Sequence, residues 1–176
     1  MKTLITKRLT IQALSKQDFS EIVEMYLEPD SNKYIRPLKG KTEKEYYTFL
    51  EKKLETNKTL KGQGFWICRS AKTGEFIGTC NLNPFFETNR IQIGCHLGMH
   101  YWNMGYASEI MQELIRYGNQ DLDLTELYGF FEAENIASGK LLQKNGFHFF
   151  RNESHFDISL VVYRIQFSNQ NPISYS

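Results

Sequence analysis

Apolar residues at Leu4, Leu9 and Ile11 alternate loosely with polar ones, which predicts a first strand over residues 3–12. The period then changes. Phe19, Ile22, Val23, Tyr26 and Leu27 recur at helical spacing behind Ser15, a residue suited to capping, and Pro29 marks the end of that helix. A polar loop carrying Tyr34-Ile35-Arg36-Pro37 leads to Thr42 and Glu45, a capping-box pair. They open a second helix with its apolar stripe at Tyr46, Phe49, Leu50 and Leu54. From Gly64 the pattern is that of strands. Phe65 to Cys68, a turn at Lys72-Thr73-Gly74-Glu75 and Phe76 to Leu82 form a hairpin in which Gly74 supplies the positive φ. A further strand spans about residues 90–97, and a long helix about 105–118 has Ala107, Ile110, Met111, Leu114 and Ile115 on its buried side. Leu127 to Phe131 is a strand, and Asn135 caps a helix through Ala137, Leu141 and Leu142 that ends at Asn145-Gly146. Phe147 to Phe150 and Phe156 to Phe167 are two closing strands.

These elements amount to about seven strands and about four helices, in an order that predicts an α+β fold with a mixed, mostly antiparallel central sheet. No linker or repeat interrupts them, so residues 1–168 are expected to be one domain and 169–176 a polar C-terminal tail. Composition agrees with a globular chain: 41% of the 176 residues are hydrophobic and 14% aromatic, far from the profile of disorder. A net charge of +1 gives no electrostatic case for nucleic acid or membrane as partner. Cys68, Cys80 and Cys95 each stand alone inside an apolar or strand-like run, with no Cys-x-x-Cys pair, so no metal site is expected. With no signal peptide pattern and no apolar run of about 20 residues, the expectation is a cytoplasmic protein with reduced thiols.

The stretch from Ile93 to Glu109 carries the candidate chemistry. A strand runs into a turn, and the turn opens a helix with Gly105 and Ala107 at its first positions. Small residues there admit a ligand close to the backbone, and the unpaired amides of a helix N-terminus suit a pyrophosphate. The stretch lacks the Gly-Lys-Ser/Thr of a Walker loop and the three-glycine spacing of a dinucleotide fingerprint.

Trp102-Asn103-Met104-Gly105-Tyr106-Ala107 resembles the acetyl-CoA-binding motif of the GNAT superfamily of N-acetyltransferases, in the Rim-type (ribosomal-protein N-terminal acetyltransferase) version Trp-Gly-x-Gly-Tyr-Ala. Asn103 replaces the first Gly, and Asn tolerates left-handed backbone better than most residues. Thr6-Lys7-Arg8-Leu9 is similar to the family's opening strand, Ile77-Gly78 to its third. Asn135-Ile136-Ala137-Ser138 with Lys144-Asn145-Gly146-Phe147 is similar to its Asn-x-x-Ser and Lys-x-Gly-Phe motifs.

The resemblance implies a sheet splayed between its fourth and fifth strands, with acetyl-CoA as co-substrate. It assigns His96, Leu97 and Gly98 to the pantetheine arm, Asn103, Met104, Gly105, Tyr106, Ala107 and Ser108 to the pyrophosphate, and Asn135 to the pantetheine or phosphate side. A backbone amide near Leu97 is the implied oxyanion donor. The Glu and Tyr that family members often use as base and acid are replaced by Gln92 and Leu142. By strand alternation Gln92, Gly94 and His96 share a face, so His96 is read either as the base or as a half-buried structural histidine. Glu132 is a second candidate base, and Ser138 is the branch's implied partner for the leaving sulfur. Tyr34, Arg36 and Gln92 are expected on the acceptor side. The acceptor is expected to be a small-molecule amine or a protein N-terminus, and a homodimer is carried as an expectation. An acyl-CoA-binding domain of little activity, with a sensing or assembly role, is the alternative that the replaced Glu and Tyr favour.

Overall fold

The computed structural model describes residues 1–35, 37–86, 88–155 and 158–168. In chain order these form β1 (Leu4–Ile5), β2 (Leu9–Ala13), α1 (Phe19–Leu27), α2 (Glu43–Thr59), β3 (Gly64–Ser70), β4 (Phe76–Pro84), β5 (Ile91–Leu97), α3 (Tyr106–Gln120), β6 (Glu126–Phe131), α4 (Ile136–Lys144), β7 (His148–His155) and β8 (Ile158–Gln166). The tail expected over residues 169–176 lies outside the described residues, as do Arg36 and the start of the last expected strand at Phe156.

One eight-stranded sheet runs in the order β1-β2-β3-β4-β5-β6-β8-β7. All pairs are antiparallel except β5 with β6, which are parallel and meet at a single register pair, Gln92 with Tyr128. The mixed, mostly antiparallel α+β sheet with four helices therefore holds, and the splay lies between the strands of residues 91–97 and 126–131. The count rises from seven to eight because residues 3–12 do not run straight. Thr6 turns the chain, its amide donating to the carbonyl of Leu9, so that β1 folds back on β2.

Helices cover both faces. Ile93, Leu97, Ile110, Met111, Leu114, Leu127 and Leu142 belong to a core between the sheet and the pair α3/α4. Ile22, Val23, Tyr26, Tyr46, Leu50 and Ile67 form a second core between the sheet and α1/α2. Full burial of each such aliphatic side chain stabilises the fold by about 1.5–3 kcal/mol. The capping box ahead of α2 forms: the Thr42 amide donates to Glu45 Oε2 at 2.8 Å, and Glu45 N donates to Thr42 Oγ1 at 3.4 Å. Gly74 takes the positive φ, +74°, of the β3–β4 turn.

Candidate functional site

The turn between β5 and α3 is built from left-handed backbone that few residues adopt. Asn103 has φ +60° and Gly105 φ +82°, so Asn103 does what a glycine would do at that position. Gly105 is the N-cap of α3, and the first intrahelical bond runs from Glu109 N to Gly105 O at 3.1 Å. The amides of Tyr106, Ala107 and Ser108 therefore have no helical carbonyl to pair with. Ala107 leaves them uncrowded, while Ser108 turns inward, 9% exposed, its Oγ 3.4 Å from Asn145 Oδ1 on the α4 side. Met104 and Trp102 are exposed beside them. This is an anion-receptive helix start, with amides converging and about half a positive charge behind them.

The strand leading into that turn presents an open backbone edge. Gly98 N donates to Ile77 O, and the register pairs Leu97 with Gly78, His96 with Thr79 and Cys95 with Cys80. Antiparallel alternation then turns the backbone groups of His96 toward β4 and those of Cys95 and Leu97 toward β6. Because β6 has diverged after Gln92, no strand among the described residues pairs with them. Leu97 O is taken by the indole Nε1 of Trp102 at 2.9 Å. Both backbone groups of Gly98 are engaged internally, its carbonyl accepting from Tyr101 N. Of the three residues assigned from sequence to the pantetheine arm, Leu97 is the one whose backbone faces the opening, and Cys95 joins it. The Cys95 side chain packs against the core, and the hydrogen-bond parity that exposes its backbone is visible only once the register is known.

His96 projects from the other face of β5. Its ring stacks on Tyr26 of α1, 5.4 Å between centroids, and Nε2 lies 2.8 Å from Ser31 Oγ. Burial lowers its pKa to about 4, against the opposing effect of the Ser31 hydrogen bond, so the ring is neutral across the physiological range. Beside it the β4–β5 register sets Asn81 against Gly94 and Asn83 against Gln92. A Cβ on Gly94 would lie 3.0 Å from Asn81 Oδ1, so the missing side chain makes room for that amide. This face of the opening is thus lined by neutral polar groups.

On β6 the residues sharing this face are Tyr128 and Phe130, and Glu132 follows directly after the strand. Glu132 thus stands at the C-terminal end of β6, four residues beyond the Gln92–Tyr128 pair. Glu132 is 9% exposed. Asn135 caps α4, Oδ1 accepting from Ser138 N at 3.1 Å, and this fixes Ser138 in the first turn at the β6 end of the opening. Leu142 is buried with its branched end where a Cβ on Gly129 would be, so it is a packing residue. Tyr34 lies in the α1–α2 loop, half-buried, with Lys33 Nζ 5.4 Å from its ring centre, while Arg36 lies outside the described residues. Burial, then the proximity of Cys68, pushes the Cys95 thiol up to about 12, which leaves no thiolate in the opening.

Sequence reasoning missed Tyr26 and Ser31. Tyr26 carries only a core signal in its helical stripe, and Ser31 is one polar residue in a polar loop; both gain meaning only from a contact made 65 or more residues away.

Comparison with known proteins agrees with this geometry. The family model described as acetyltransferase (GNAT) domain matches residues 8–148. An N-acetyltransferase p20 of Bacillus licheniformis is 32% identical over 149 residues, 84% of this chain and 83% of that protein. Among solved structures, a GNAT-family acetyltransferase from Bacillus anthracis superposes with a TM-score of 0.80 at 22% identity, covering 94% of this chain and 98% of its own. A ribosomal L7/L12 alpha-N-protein acetyltransferase in complex with coenzyme A gives a TM-score of 0.78 at 14% identity, covering 94% and 98%. A helix start open to anions, an unpaired strand edge leading to it and a family match over most of its length place this chain in the GNAT acetyltransferase family, as an acetyl-CoA-dependent acyltransferase.

Proposed function

We propose that the protein moves an acetyl group from acetyl-CoA to a primary amine by direct attack within a ternary complex. The observation that carries this reading is the open edge of β5 at Cys95 and Leu97, continuous with the unpaired amides that begin α3. A pantetheine arm has two amides and can add to such an edge as a further strand would, while the diphosphate takes the amides from Asn103 to Ser108. The Leu97 N–H, aimed into the opening, is the donor for the oxyanion of the tetrahedral intermediate. Asn135 holds the β6 side of the arm.

The acceptor enters from the α1/α2 face, past Tyr34 and Gln92. Attack requires the amine in its neutral form, and its proton must leave as the bond forms. The burial that keeps His96 neutral opposes its becoming an imidazolium, so we assign the proton to Glu132, with His96 and Gln92 holding the amine in line. Ser138 donates a hydrogen bond to the departing sulfur. A thioester is already activated, and no covalent enzyme intermediate is needed.

An acceptor pocket of neutral polar groups with the Glu132 carboxylate at its edge fits a peptide α-amine or a small amine equally well. The ribosomal-protein acetyltransferase among the structural neighbours brings protein N-termini into the set to be tried. The experiment is a panel of N-terminal peptides and small amines, with CoA release followed by a thiol reagent. At least one acceptor is expected to raise CoA release well above the amine-free rate. Tight acetyl-CoA binding with no acceleration by any member would favour the non-catalytic, acyl-CoA-sensing reading. Within an active series, Glu132→Gln should lower kcat by about 10²–10⁴-fold, the usual worth of a general base.

A further inference from the structure

Thr6 and Arg8, in the turn between β1 and β2, reach across the fold to the first turn of α3. Glu109 Oε1 accepts from Thr6 Oγ1 at 2.6 Å and from the Arg8 amide at 2.8 Å, and Oε2 accepts from Arg8 Nε at 2.6 Å. Arg8 Nη1 donates to Met104 O at 3.0 Å, and its guanidinium lies 4.1 Å from the centre of the Tyr106 ring. The third nitrogen, Nη2, makes no hydrogen bond among the described residues and sits 3.5 Å from where a Cβ on Gly105 would be. One side chain thus touches Met104, Tyr106 and Glu109 and stands against Gly105.

The electrostatics of the turn need such a partner. Glu109 is a carboxylate in the first turn of the helix whose N-terminus is to receive a diphosphate. Alone, it would repel that ligand. Burial raises its pKa, but the hydrogen bonds from Thr6 and Arg8 outweigh burial and bring it below the usual range, so the carboxylate is ionised and needs its counter-charge. Fixing the Met104 carbonyl inward on Arg8 also leaves the amides that follow it facing out.

We propose that Arg8 is a positioning residue of the acetyl-CoA site: it clamps the Met104–Tyr106 turn, neutralises Glu109 and offers Nη2 to the diphosphate. This rests on reading the start of α3 as the diphosphate site. A guanidinium in this place performs all three tasks because its planar fork serves several acceptors at once; an ammonium has no such fork.

The test compares two acetyl donors. Acetyl-CoA carries the diphosphate, whereas S-acetylpantetheine carries the same arm and thioester without any phosphate. Arg8→Ala should raise the KM for acetyl-CoA and the Kd for CoA by about 10–100-fold, the worth of a hydrogen bond to a charged group, with kcat little changed. Its kcat/KM for S-acetylpantetheine should stay within about twofold of the unaltered protein. Arg8→Lys, which keeps the stem and the charge, should fold and recover part of the lost affinity. Equal CoA affinity in both variants and the unaltered protein would overturn the proposal, as would equal losses with both donors. If the unaltered protein itself fails to bind CoA, it is the underlying reading of the turn that falls.

Discussion

Gly105 shows how far one residue can be pressed. Its φ of +82° is strained for any L side chain, and the position opens a helix whose first amides are unpaired. Gly105→Asp adds a carboxylate where a diphosphate is expected, so CoA affinity should fall by more than about a hundredfold. The stability loss should stay near 1–2 kcal/mol, the cost of left-handed backbone. Isothermal titration and thermal melting check the two parts separately; micromolar CoA binding by the variant would remove Gly105 from the site. Asn103 has the same sign of φ, and its departure from the family's glycine was legible in the sequence together with the reason the turn tolerates it. His96 was only half legible. Alternation gave its face, but the Tyr26 ring and Ser31 hydroxyl that hold it neutral come from an element far away in sequence. An imidazole with a pKa near 4 gives no limb near neutrality, so His96→Ala should lower kcat while leaving the pH profile between 6 and 8 unchanged in shape. Loss of a limb in that range would restore His96 as the base.

Among the elements, α4 illustrates packing that serves a site. It lies so close to β6 that a Cβ on Gly129 would come within 2.4 Å of Leu142, and this approach sets the height of Asn135 and Ser138 at the edge of the opening. Gly129→Ala should therefore cost about 1–3 kcal/mol by overpacking. Leu142→Ala alone should cost about 2–5 kcal/mol by leaving a cavity. Because each change relieves the other, the double variant should be more stable than the sum of the two, by a coupling that denaturant titration can measure. Strict additivity would mean that α4 shifts freely over the sheet. Such long-range fits explain what the sequence could not disclose. Helices with caps and stripes, such as the one opened by Thr42 and Glu45, were legible because their signals are local. The fold-back at Thr6 was not, since one of its anchors, the Glu109 carboxylate that accepts from Thr6 Oγ1, stands 103 residues away.

Across the described residues a single sheet joins both helical layers. Two groups on this sheet, His96 on β5 and Glu153 on β7, contribute to its response to acid. His96 ionises near 6.5 when unfolded but near 4 when folded, so over that window the unfolded chain binds more protons and stability falls as pH falls. Glu153 behaves alike at lower pH. The Arg90 ion pair, opposed by burial and helped by His155 and Arg151, holds its carboxyl down to about 2 against an ordinary 4.5. Stability contributed there is intact above 4.5 and is lost as pH falls toward 2. The Arg90 guanidinium is further enclosed by the rings of Phe85, Tyr128 and Phe130, between 5.1 and 5.7 Å from their centres. Removing one partner strands the other: Glu153→Gln should cost about 3–5 kcal/mol at pH 7, and should flatten the stability curve between pH 4.5 and 2. His96→Gln should flatten only the interval from 6.5 to 4. Urea titrations at pH steps from 7 to 3 separate the two windows, because each variant removes the slope of its own. A His96→Gln curve parallel to that of the unaltered protein from 6.5 to 4 would show that this histidine takes up its proton as readily folded as unfolded, and would reopen the assignment of the proton to Glu132.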